Sequence, residues 1–201
     1  MPTREDLYRA RELYEEHEPR DLFYRVALEL LQRTRAGESA FTLTEAVAVV
    51  LLTWNRRFYI HKDTPSFDPQ HVADIDALLD RHRDALDSYH GRSIESLTDD
   101  ERDAVEAIFD ELERLLGPVG AAKALHVLAP RFFALWDRAI AQGAGFYLDK
   151  RGTNANRYWR WMLKTQGEAA DLGGEAAWGP GLLKRIDEYH YCRYSSDPPL
   201  M

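Results

Sequence analysis

The chain has 201 residues, with 26 Lys and Arg against 34 Asp and Glu, a net charge of −8, and 45% hydrophobic side chains. That length suits one globular domain with its own core, and the single cysteine, Cys192, excludes a disulfide scaffold. The longest aliphatic run, Ala46 to Leu52, is far too short to cross a bilayer and no apolar signal core opens the chain, so a cytoplasmic protein with no membrane partner is expected.

In chain order, the first periodic stretch is Leu22, Phe23, Val26, Ala27, Leu30 and Leu31, whose spacing predicts a helix from about Asp21 to Arg33 with these residues on one face. Thr42-Leu-Thr-Glu45 is a capping-box pattern, and the body that follows, Ala46 to Trp54, is apolar on every side, which predicts a central buried helix. Val72, Ile75, Leu78, Leu79, Leu86 and Tyr89 predict a third amphipathic helix. Thr98-Asp-Asp-Glu101 is a second capping box, opening a helix that carries Val105, Ile108, Phe109, Leu112 and Leu115.

That helix should stop at Leu116, because Gly117-Pro-Val-Gly120 forces a tight turn before Ala121 to Leu128. A short helix from Asp137 to Gln142, a break at Gly143-Ala-Gly145 and a basic aromatic segment around Arg157-Tyr-Trp-Arg-Trp161 follow. No alternating strand pattern and no repeat is present. The expectation is an all-α fold, one domain over residues 1–194, with a frayed tail over 195–201.

The segment Leu116-Gly-Pro-Val-Gly-Ala-Ala-Lys-Ala124 resembles the hairpin of the helix-hairpin-helix DNA glycosylase superfamily. Such a turn presents free amides at a helix start, where phosphate binds well. In that superfamily a catalytic aspartate follows the hairpin and starts the next helix, and Asp137 in Phe133-Ala-Leu-Trp-Asp-Arg-Ala-Ile140 stands in that place. The helix ending Leu51-Leu-Thr-Trp-Asn-Arg56 is similar to the family's buried helix, whose end supplies a polar residue that enters the DNA.

The resemblance implies a glycosylase-like helical fold acting on double-stranded DNA as a monomer, without metal or cofactor. Breaking an N-glycosidic bond builds positive charge on the sugar, and the Asp137 carboxylate is the group expected to stabilise it and orient water. Its plain alternative role is to cap the next helix. The expected DNA contacts are Gly117, Val119 and Gly120 in the hairpin, Lys123, Asn55 and Arg56, and Arg157 and Arg160 with Lys164 on a helix face. Trp54 and Trp136 are the expected base-pocket aromatics.

Bifunctional members of the family attack the sugar through a lysine two positions beyond the second hairpin glycine. Here that position is Ala122, and Lys123 comes one residue later, about 100° round the helix. The register therefore predicts a monofunctional glycosylase, with Lys123 on phosphate or in solvent and no borohydride-trapped complex. The excised base, damaged or hypermodified, and the choice between repair and anti-phage defence stay open. The alternative is a noncatalytic helical module using the same hairpin to bind DNA or a protein.

Charge is unevenly divided. From Pro118 to Lys164 there are eight bases (Lys123, Arg131, Arg138, Lys150, Arg151, Arg157, Arg160, Lys164) and two acids (Asp137, Asp149), a balance of +6 that leaves −14 elsewhere. This predicts a basic face on an acidic body.

Overall fold

The computed structural model describes residues 1–61, 64–195 and 200–201, and every regular element among them is helical. The first helix, α1 (Arg4–His17), opens on a capping box between Thr3 and Asp6. Next comes α2 (Asp21–Arg35), whose buried stripe is Tyr24, Ala27 and Leu31. The single apolar face expected there is split. Leu22, Phe23 and Val26 look outward and are 39–52% exposed, because the phenol-bearing Tyr24 takes the inward position.

Thr42 and Glu45 exchange bonds with each other's amides (3.1 and 2.7 Å) and start α3 (Leu43–Trp54) as the box predicts. Ala46, Val47, Val50 and Leu51 are buried, while Leu52 faces outward. One turn, α4 (Arg56–Tyr59), follows directly after Asn55. The helix expected over residues 72–89 is two, α5 (Pro69–Arg81) and α6 (Arg83–His90), joined at His82.

The box at Thr98 caps a 3₁₀ turn, Asp99–Glu101, that leads into α7 (Arg102–Leu128). This helix contacts α2, α3, α5 and, later in the chain, α9 (Ala155–Asp171), so it is the centre of the molecule. Gly117 interrupts it with φ 73° and ψ 166°, and Pro118 occupies the first position of the second half. From Gly120 to Leu128 every residue is buried.

The basic aromatic segment of α9 has its aromatics inside. The Tyr158 hydroxyl donates to the Ala134 carbonyl (2.9 Å) and the Trp161 indole to the Leu135 carbonyl (2.8 Å). These bonds hold the extended stretch before α8 (Arg138–Gly143). The chain then forms α10 (Gly174–Trp178) and α11 (Leu182–His190), which ends in a π-turn, Tyr191–Ser195. α11 packs against α1, and one core runs from Leu7 to Cys192.

At the described ends of the segment expected to fray, Ser195 and residues 200–201 make contacts. The Ser195 hydroxyl donates to Asp137, and the Leu200 amide donates to the Cys192 carbonyl at 2.9 Å, because Leu200 and Met201 pack on the core. Residues 196–199 lie outside the described residues. No described helix is long and apolar enough to cross a membrane.

Candidate functional site

Where α7 breaks, three side chains clamp the turn from different elements. The Asn55 amide donates to the Leu116 carbonyl (3.2 Å), the Trp136 indole donates to the Pro118 carbonyl (3.0 Å), and the Phe58 ring covers Gly117. The turn therefore forms one wall of a cleft of about 830 Å³. Facing it are the residues after α3, the start of α8, and Asp187, Tyr191 and Ser195 from the C-terminal segment. Tyr14, Glu18 and Arg20 close the side next to α1.

Lys123 lies in this cleft and is only 9% exposed. Its ammonium donates to the Trp54 carbonyl and stands 6.0 Å from the centre of the Trp54 ring system. Burial lowers its pKa to about 8, against the opposing pull of the Asp137 and Asp187 carboxylates. Of the two places expected for this lysine, on phosphate or in solvent, solvent is thereby corrected. The helix restarts at Pro118, so Val119 and Lys123 are an i,i+4 pair on one face, and both line the cleft.

Asp137 is the N-cap of α8. One carboxylate oxygen accepts from the Ile140 amide at 2.8 Å and the other from the Ser195 hydroxyl. It is half-buried and lines the cleft. The capping role is thus real, and it leaves the carboxylate beside the cavity.

The other expected residues divide. Trp54 lines the cleft, its indole tied to the Arg20 carbonyl at 3.0 Å and its ring stacked on Tyr24 at 5.4 Å. Asn55 also borders the cleft, but it is buried and its amide is held by the Leu116 carbonyl. Trp136 borders the cleft but is 1% exposed and packs edge-on against Phe109 and Tyr158, so most of its ring belongs to the core. Gly117 and Val119 line the cleft, while Gly120 is buried against Asn55.

The expected basic face is not at the cleft. Arg157 donates to the Thr153 carbonyl and lies 3.8 Å from Asp149, Arg160 stands over the Phe146 ring, Lys164 pairs with Glu168, and Arg131 pairs with Glu175. Of the eight bases in that window only Lys123 and Arg138 line the cavity. A chain window says little about a face when a helix turns its residues through all directions. Besides Arg20, which pairs with Glu18, the exposed arginines at the rim are Arg56, Arg57 and Arg138. Arg56 is among the expected DNA contacts and Arg138 among the bases counted in the window, whereas Arg57 is new, and its adjacency to Arg56 is the signal for it.

Glu18 and Arg20 form a fixed ion pair beside the cleft. Burial pushes the Glu18 carboxyl up, but hydrogen bonds from the Arg20 guanidinium and backbone and from the Tyr191 hydroxyl outweigh it and hold the carboxyl below its ordinary value. Deeper in, Lys184 lies 3.0 Å from Glu188, 3.5 Å from Asp21 and 3.8 Å from Asp187, with the Tyr14 ring 3.9 Å from its nitrogen. Asp187 opens to the cleft on this cluster's edge. Neither residue stands out in the sequence, where Lys184 and Asp187 read as an ordinary i,i+3 surface pair.

Behind Trp54, His126 is fully buried. Its Nδ1 donates to the Phe133 carbonyl (2.7 Å), so Nε2 accepts from the Tyr24 hydroxyl (2.8 Å), and burial lowers its pKa to about 4. The neutral ring is a support for Tyr24 and hence for Trp54. Compared with known proteins, the chain matches no family model, no curated protein and no solved structure.

Proposed function

We propose that this protein is a DNA glycosylase that hydrolyses the N-glycosidic bond of a nucleotide turned out of the duplex. The observation that carries the reading is the placing of Asp137 and Lys123 in one cleft beside the glycine turn, under a rim of Arg56, Arg57 and Arg138. The rim arginines suit the phosphates flanking an extruded nucleotide. Asp137 would lie along the sugar, offsetting the positive charge that develops as the base departs and orienting the water that attacks C1′. Trp54 offers an aromatic wall for the base.

Asp137→Asn tests this directly. An amide still accepts from the Ile140 amide, so the cap and the fold are kept. Base release from damaged, phage-derived or normal DNA should fall by at least about a hundredfold while DNA binding persists. Wild-type protein that binds DNA but releases no base from such a panel would leave the noncatalytic module as the reading.

The buried amine favours a second step at the same site. With a pKa near 8, Lys123 is neutral in an appreciable fraction of molecules near neutral pH, the form that attacks carbonyl carbon. Hydrolysis leaves a sugar whose ring-opened form is an aldehyde, and Lys123 would condense with it. Borohydride should then trap a protein–DNA adduct with wild type and none with Lys123→Met, the reverse of what the hairpin register predicts.

A further inference from the structure

Asp187 has no assigned part in the chemistry, yet its carboxylate opens into the cleft that holds Lys123. It lies on α11, the wall opposite the glycine turn, and accepts no hydrogen bond from any described residue. Its nearest cation, Lys184 at 3.8 Å, is shared with Asp21 and Glu188, which lies closer. A carboxyl group so placed has lone pairs left over, and it shares the cavity, and its electrostatic field, with a buried amine that lies beyond ion-pair contact.

We infer that Asp187 is the proton carrier for Lys123, taking the proton the ammonium sheds and returning it to the hydroxyl that leaves as water when the amine condenses with a sugar aldehyde. This rests on the imine reading of Lys123. In the first transfer the ammonium becomes an amine and the carboxylate becomes an acid. The amine lone pair forms the C–N bond, the carbonyl electrons pass to oxygen, and a nitrogen proton moves to that oxygen to give a neutral carbinolamine. Asp187 then protonates the hydroxyl, water leaves, and the nitrogen lone pair forms the C=N bond. An aldehyde and an ammonium have become an iminium and one water, and Asp187 is a carboxylate again.

The surroundings suit a proton that moves both ways. Burial raises the Asp187 pKa to about 7, helped by the Asp137 and Glu188 charges and opposed by Lys184 and Lys123. That lies within about one unit of Lys123, so neither group holds the proton strongly against the other. Glu18, Arg20, Arg138 and Tyr191 line the same cleft, and the Asp187 charge also couples to Tyr14 on α1, Tyr24 on α2 and Cys192 beyond α11. Burial raises these last three above their ordinary values, so they are neutral in the same range.

The test uses the whole protein and propionaldehyde with cyanoborohydride, reading the rate of alkylation at Lys123 by peptide mass from about pH 5 to about pH 10. Wild type should give a bell with limbs near 7 and 8, since the reactive form needs both amine and acid. Asp187→Asn should lose the descending limb and drop the maximum by about a hundredfold. A wild-type profile that only rises with pH, which needs no variant to observe, overturns the inference. So does an Asp187→Asn profile of unchanged shape, including one merely scaled down as a structural role would give. If wild-type Lys123 is not alkylated at all, the imine reading falls together with the proton carrier, while base release in the Asp137 experiment would still stand for hydrolysis.

Discussion

A methyl group added at Gly120 would lie 2.6 Å from the Asn55 amide nitrogen and 2.9 Å from Leu116 Cβ. The nearest atom belongs to the side chain that clamps the α7 break, so the intruding methyl would displace the clamp itself. Gly120→Ala should therefore cost about 2 kcal/mol by overpacking, measured by chemical denaturation, and should weaken DNA binding along with stability. Gly117 is different. Its φ of 73° is a left-handed conformation, and the Phe58 ring leaves no room above it, so backbone and packing independently require glycine there. The sequence pattern marks both glycines as a turn, but only the first turns the chain. The helix therefore restarts at Pro118, and Gly120 already lies inside it, three residues before Lys123.

Between residue and molecule, the loop before α9 depends on one buried pair. Glu113, on α7 and fully buried, accepts from both the backbone amide (3.0 Å) and the side-chain amide of Asn154, and no described cation pairs with it. Asn154 also accepts from the Asp149 amide (2.8 Å) and donates to the Lys150 carbonyl (3.1 Å), so one side chain folds the loop and seats α9. Asn154→Ala leaves the carboxylate with a single donor and should cost about 3 kcal/mol, read as a lowered denaturation midpoint. Helix starts were legible because Thr42 and Thr98 carry their partners three residues on. The break at His82 was not, because Leu78, Leu79 and Leu86 keep helical spacing across it with no Gly or Pro to mark it. The cleft was half legible. Asp137 and Trp54 sit beside motifs, whereas Asp187 and Tyr14 reach it only through the packing of α1 on α11, which local periodicity does not encode.

For the molecule as a whole, two buried groups set opposing pH responses. His126 titrates near 4 folded and 6.5 unfolded, so the unfolded chain binds the extra proton between those values and stability is lost as pH falls through that window. Asp187 titrates near 7 folded against 3.8 ordinarily, so the folded chain holds the extra proton and stability falls as pH rises from about 4 to about 7. The two slopes nearly cancel. Thermal melts of Asp187→Asn should match wild type near pH 4 and exceed it increasingly up to about pH 7, by at most about 1.4 kcal/mol per pH unit. A gap independent of pH would contradict the assignment. The packing of α1 against α11 also bears on how the protein is made. Arg11 meets Glu188 at 2.5 Å and Glu18 meets Tyr191 at 2.8 Å, contacts separated by more than 170 positions. During synthesis the wall carrying Asp187 therefore emerges from the ribosome long after the lysine it faces, so the cleft is completed only once a segment made much later has packed back onto α1.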